Sequence, residues 1–182
     1  MDRLRKAAVL MELVNQMSDR GSWCGETHLQ KAVFFLQHLL EVPLGFSFVL
    51  YKHGPFSFDL REELASMRAD GLVELEPQQE PYGPKFVRTL RGERLCDRYP
   101  KTLGEFKGHI GFVADKLGDK GATELERLGS ALYMMRKHSE LDDESLAERI
   151  NKFKPHVSTE RAKGALVAVR DISGEAERFK AA

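Results

Sequence analysis

The sequence predicts a mainly helical α+β protein. Apolar residues recur at helical spacing over most of the 182-residue chain, while short β-branched, aromatic or alternating runs bounded by Gly and Pro are confined to residues 46–90. Composition agrees: apolar residues make up 42% and charged residues 31%, enough Leu, Val and Phe to build a core and too many for a disordered chain.

From Leu4 to Met17, Ala7, Leu10, Val14 and Met17 form one helical stripe, broken by residues 18–22. In the second helix Leu29, Val33, Leu36 and Leu40 repeat, and Ala32, Phe35 and Leu39 widen the face, which places this helix centrally. Thr27 is its expected N-cap, with Pro43 and Gly45 ending it. Residues 46–51 are aromatic and β-branched and too short for a helix, so a strand is expected there, followed by a turn at His53-Gly54-Pro55-Phe56-Ser57. A third helix places Leu60, Leu64 and Met67 on one face, capped by Ser57 or by the Asp59/Glu62 pair, and stops at Asp70-Gly71. Residues 72–76 alternate as a half-buried strand, 77–84 form a loop, and 85–90 return as its partner.

The remainder reads as helix: a short one over 92–99, then 101–117 and 122–137, the last with Leu125, Leu128, Leu132 and Met135 in one stripe. A helix over 144–153 buries Leu146, Ile150 and Phe153, and one over 159–171 groups Ala162, Leu166 and Val169. Lys154-Pro155-His156 reads as a connector. The boundary near Pro100 suggests residues 1–100 as one lobe and 101–182 as a helical lobe packed on it or continuous with it.

Twenty-eight basic residues balance 28 acidic ones, so no global field draws the chain to nucleic acid or anionic lipid. The longest apolar run, 32–36, is far too short to span a bilayer, and the basic start runs into an amphipathic helix rather than a signal peptide. Cys24 and Cys96, without metal-ligand spacing, fit reduced thiols and a cytoplasmic protein. Trp23 beside Cys24 reads as a partly buried packing residue.

Helix, helix, strand, helix, strand, hairpin loop, strand is the element order of a winged helix, with residues 72–90 as the wing. Three segments carry a further likeness: Lys31-Ala32-Val33-Phe34-Phe35-Leu36-Gln37-His38, then residues 48–57 ending in His53-Gly54-Pro55-Phe56-Ser57, then Asp70-Gly71-Leu72-Val73. With Phe153-Lys154-Pro155-His156-Val157-Ser158 they resemble the YwgA-like and Panacea (SocA-like antitoxin) group, over residues 28–170. The resemblance implies a winged-helix-like domain, a cytoplasmic prokaryotic or phage setting and no catalysis. For Panacea-type members it also implies an antitoxin role, in which the domain recognises or restrains another protein. The longer helical C-terminal region is nearer the YwgA-like relatives.

No catalytic, metal or cofactor constellation is legible. The six histidines are scattered without HxxxH or HExxH spacing, and neither a GxSxG elbow nor a Walker-type loop occurs. Gly104, Gly108 and Gly111 follow no strand and read as packing. An enzyme is therefore not expected.

Charge is polarised. Residues 59–80 carry seven acids against two bases, a formal −5, which makes the third helix a poor reader of DNA; residues 85–107 carry seven bases against three acids, a formal +4. The function read from these features is recognition of a protein partner, such as a toxin or a defence or regulatory protein, through Tyr51, Lys52, His53 and Phe56 on the turn. The alternative is a DNA- or RNA-binding regulator acting through Lys85, Arg88, Arg91, Arg94 and Arg98. No membrane partner is expected, and the polarised charge also suits a homodimer.

Overall fold

Asp2 sets the first helix in motion: its carboxylate accepts from Arg5 N–H at 3.0 Å and begins α1 (Arg3–Asp19). The computed structural model describes residues 1–80 and 83–181 of the chain. Residues 81 and 82 of the predicted 77–84 loop lie outside the described residues. Nine residues of α1 are buried, the predicted stripe among them, so α1 shares the centre of the core with α2 (Glu26–His38). Gly25, in extended geometry, is the N-cap of α2, and Thr27 already lies inside the helix, so Thr27 is not the cap. The helix also ends ahead of Pro43, where Glu41 enters the left-handed region at φ 60°.

The segment after α2 departs from its sequence expectation. The strand β1 spans only Val49–Tyr51, and the supposed turn residues form a second strand, β2 (Gly54–Phe56), antiparallel to it with Val49 opposite Phe56 and Tyr51 opposite Gly54. Two side chains explain the change. Gln37 occupies both backbone groups of Phe46, accepting from its N–H and donating to its C=O at 2.8 Å each, which removes Phe46 from any ladder. Gly54 at φ 91° lets the chain reverse after Lys52-His53, and Pro55 is tolerated because the ribbon has only edge strands.

Gln30, fully buried and two helical turns before Gln37, treats Ser57 the same way, bonding its N–H at 2.8 Å and its C=O at 2.9 Å. Two glutamines of α2 thus hold both ends of the hairpin segment. Ser57 Oγ in turn accepts from Leu60 N–H at 3.1 Å and caps α3 (Phe58–Ala69), whose buried residues are Leu60, Leu64 and Met67 as the spacing predicts. Ser57→Ala deletes this cap in a buried setting. We expect a loss of about 1 kcal/mol in thermal or urea unfolding, with the fold retained.

The second hairpin pairs β3 (Val73–Glu76) with β4 (Lys85–Arg88), Val73 opposite Arg88. Thr89 caps α4 (Leu90–Asp97), and Gly92 lets that helix sit against Leu72 C=O, where a Cβ would stand 2.3 Å from the oxygen. Then come α5 (Pro100–Leu117), α6 (Ala122–Lys137), α7 (Asp143–Phe153) and α8 (Thr159–Ala181). The fold is thus mainly helical with two small antiparallel hairpins.

α5 packs along α1, while α6 contacts α2, β2, α7 and α8. Apolar residues from α1 through α8 join in one buried cluster. Both cysteines are buried and free, and Trp23 Nε1 donates to Gly83 C=O at 3.1 Å.

Two further expectations are corrected. Phe153 is 63% exposed, because Leu146, Ala147 and Ile150 carry the buried face of α7 and Phe153 falls at its end. The last helix continues ten residues beyond 171, since Ile172 and Ala176 extend its apolar stripe.

Candidate functional site

The tip of the β1–β2 hairpin is held from below by a lysine. Lys154 leaves the end of α7 and is 3% exposed. Its ammonium donates to Tyr51 C=O at 3.2 Å, to Lys52 C=O at 2.6 Å and to Glu126 Oε1 at 2.7 Å. An ammonium has three protons, and all three are used. Burying it is tolerable because every proton has an acceptor and one acceptor is a carboxylate.

Glu126, on the second turn of α6, is the hub. Besides Lys154, Oε1 lies 3.1 Å from His156 Nε2, and Oε2 lies 3.6 Å from His53 Nδ1. Burial alone would push its pKa up, but the bond and charge of Lys154, joined by His156, outweigh this and hold the carboxyl below the usual range.

A second lysine lies beneath the hub. Lys31, on α2, is 1% exposed, and its stem runs past Gly129 and Gly54: Cβ atoms built there would come within 3.3 Å of Lys31 Cγ and 3.2 Å of Lys31 Cε. Those two glycines leave room for the stem. Burial pulls the Lys31 ammonium down to about 8; Glu126 opposes the shift and Lys154 reinforces it. No hydrogen bond to its ammonium occurs among the described residues.

Above this floor opens a cavity of about 800 Å³ between the hairpin tip, the start of α6 and the α7–α8 connector. Thr27, Tyr51, His53, Thr123, Phe153 and His156 are among its walls. On the other flank of the hairpin an aromatic surface forms. Tyr51 and Phe56 have ring centroids 5.7 Å apart, Phe56 and Phe58 5.1 Å, and the Arg61 guanidinium stands 5.2 Å from the Phe56 centroid. Tyr51 is 57% exposed and Phe58 51%.

Of the turn residues singled out in the sequence, Tyr51, Lys52 and His53 come together at the tip and line the cavity; Phe56 faces the aromatic flank. The basic residues divide. Lys85 is half-buried on β4, and Arg88 is turned towards Glu12 at 3.5 Å. Arg91, Arg94 and Arg98 stand exposed along α4 without an acidic partner among the described residues, and with Arg3 they ring a shallow depression.

Sequence reasoning did not single out Lys31, Glu126, Lys154 or His156 as site residues. One signal existed: Lys31 stands inside a helix directly before the apolar run 32–36. Among the described residues no group of three or more His, Cys, Asp or Glu is arranged to hold a metal ion, and no helix is long and apolar enough to cross a membrane. Compared with known proteins, the chain matches no family model and no curated protein.

Proposed function

We propose that this chain is a non-catalytic, winged-helix-like recognition protein of the cytoplasm that docks on a protein partner through its β1–β2 hairpin, in an antitoxin-like or defence-associated role. The observation that carries this reading is the exposed aromatic flank of Tyr51, Phe56 and Phe58 on a hairpin locked at its tip by Lys154 and at both ends by Gln30 and Gln37. Aromatic rings on a rigid support give contact area at little entropic cost, and such residues dominate the energetics of interfaces.

The test is calorimetric binding of the full chain to the product of the adjacent gene, compared with a Tyr51→Ala/Phe58→Ala double variant. Both rings are exposed, so the variant should fold normally while affinity falls by at least about 30-fold. Equal affinity in the double variant counts against the reading.

A second reading is favoured by α4. Arg91, Arg94 and Arg98 recur at three- and four-residue spacing and span about 10 Å of helix, a run of positive charge able to follow a phosphate backbone. It requires nucleic-acid affinity that falls steeply with salt and collapses when these three arginines become glutamates.

A further inference from the structure

A second cavity, of about 640 Å³, opens between the β3–β4 hairpin, the connector leading into α2 and the turn from α5 to α6. Among the described residues its lining includes neither the aromatic docking flank nor the Glu126 hub. Its apolar walls are Trp23, Leu75 of β3 and Phe86 of β4. The backbone holds these walls together. Cys24, next to Trp23, takes a left-handed φ of 49°, and its C=O accepts from Phe86 N–H at 3.0 Å. The Trp23 indole proton is spent within the wall, on Gly83 C=O. Gly21 and Gly121 also line the cavity, and a Cβ on either would meet nothing within 4 Å, so this part of the wall is bare backbone.

One polar side chain in this lining is more than nine-tenths buried among the described residues: His28, at 6% exposure. It hydrogen-bonds the Lys120 C=O. A carbonyl can only accept, so the ring nitrogen that meets it carries the proton. Burial pulls the imidazole below its ordinary 6.5, against the Lys120 bond and with the help of the Lys31 charge. At neutral pH the ring is therefore uncharged, and its other nitrogen is a lone-pair acceptor. That nitrogen has no partner among the described residues, and protein does not seal it in. A deeply placed acceptor without a donor is costly, and here the donor has to come from what enters the cavity.

The charged groups of the lining are matched. Glu26 lies 2.9 Å from Arg61, and Lys120 lies 3.1 Å from Glu124 and 3.7 Å from Asp119. No charge in the lining stands without an opposite partner among the described residues, so the site does not select an ion. Its volume lies within the range of small-molecule sites, and apolar walls with one placed polar group are their usual make-up. Aromatic walls suit a planar ring. The His28 acceptor fixes where that ring must present its donor.

We propose that this cavity binds a neutral, planar nitrogen heterocycle of bicyclic size, whose ring N–H donates to His28 while its body packs against Trp23, Leu75 and Phe86. This site is separate from the aromatic flank assigned to the protein partner, and either assignment can fail without the other.

Trp23 is the only tryptophan of the chain, so its indole N–H gives a single NMR signal from the wall itself. The experiment is an NMR titration of the full chain with indole and with benzofuran, which keeps the bicyclic frame and has an oxygen in place of the N–H. Indole should shift the Trp23 side-chain and His28 amide signals with Kd below about 1 mM, and benzofuran should bind at least about 5-fold more weakly. His28→Phe keeps a ring and removes the acceptor, so indole should fall to the affinity of benzofuran. Leu75→Ala, at a half-buried strand position with little risk to the fold, should weaken both probes by a similar factor of about 3 or more. The Tyr51→Ala/Phe58→Ala double variant should bind indole as wild type does. Four results would each overturn the proposal: no shift of these signals with indole at about 5 mM, equal affinity of wild type for the two probes, a folded His28→Phe that still prefers indole, or indole binding lost in the Tyr51→Ala/Phe58→Ala variant. The contrast between the two probes in wild type decides the matter even if His28→Phe does not fold.

Discussion

Glu126→Gln is expected to cost about 3–5 kcal/mol of folding stability at neutral pH, as removing one partner of a buried ion pair generally does. Glutamine keeps the shape and still offers Lys154 an oxygen, so what disappears is the negative charge. Lys154, at 3% exposure, then loses its paired carboxylate, and Lys31, at 1%, keeps only Glu26 as a favourable charge. The loss should depend on pH in a defined direction. The Glu126 carboxyl titrates below its ordinary value of 4.5 in the fold, so its contribution is fully present above that value. The contribution disappears as the pH falls through the depressed folded value, where the wild-type carboxyl is itself neutral. Urea unfolding of both proteins across this range should therefore show a constant gap from neutrality to about pH 4.5 and a closing gap in stronger acid. The Lys154 ammonium also holds the hairpin carbonyls of Tyr51 and Lys52, so hydrogen exchange at the tip should quicken in the variant. A gap under about 1 kcal/mol at pH 7 would mean that the hub is solvated rather than buried.

The helices were legible because their apolar residues follow one period over several turns; α6 runs from Ala122 to Lys137, the bounds read from the sequence. The β1–β2 hairpin was not, because its limits are set by side chains distant in sequence. Gln37 pre-empts Phe46 and Gln30 fixes Ser57, and neither glutamine differs in pattern from an ordinary helix-surface residue. Phe153 misled for a related reason: it continues the helical spacing but lies on the last turn, where the core has ended.

The turn composition pointed correctly to Tyr51, Lys52 and His53 as neighbours, since they are adjacent in sequence. Glu126, Lys154 and His156 meet them only through the packing of α6 and α7 beneath the hairpin. Lys154-Pro155-His156 has the composition of a connector and serves as one; that its first residue also caps two carbonyls more than 100 residues away has no sequence signature.

Lys31→Met carries the opposite sign to Glu126→Gln, and this makes the pair informative. Burial lowers the Lys31 ammonium from 10.5 to about 8, so the folded state binds its proton less tightly than the unfolded chain does. Below pH 8 both states are protonated and the fold bears the full penalty, on the order of 3 kcal/mol. Between pH 8 and 10.5 the folded lysine is neutral while the unfolded one remains charged, so the penalty shrinks as the pH rises and vanishes above that window. Methionine fills a similar volume without a charge and leaves Glu126 paired with Lys154. The variant should therefore be more stable than wild type by roughly 2–3 kcal/mol at pH 7, with an advantage that fades from pH 8 to 10.5. Thermal unfolding at matched pH values measures this, and a variant less stable than wild type at pH 7 would show that Lys31 pays its way through Glu126.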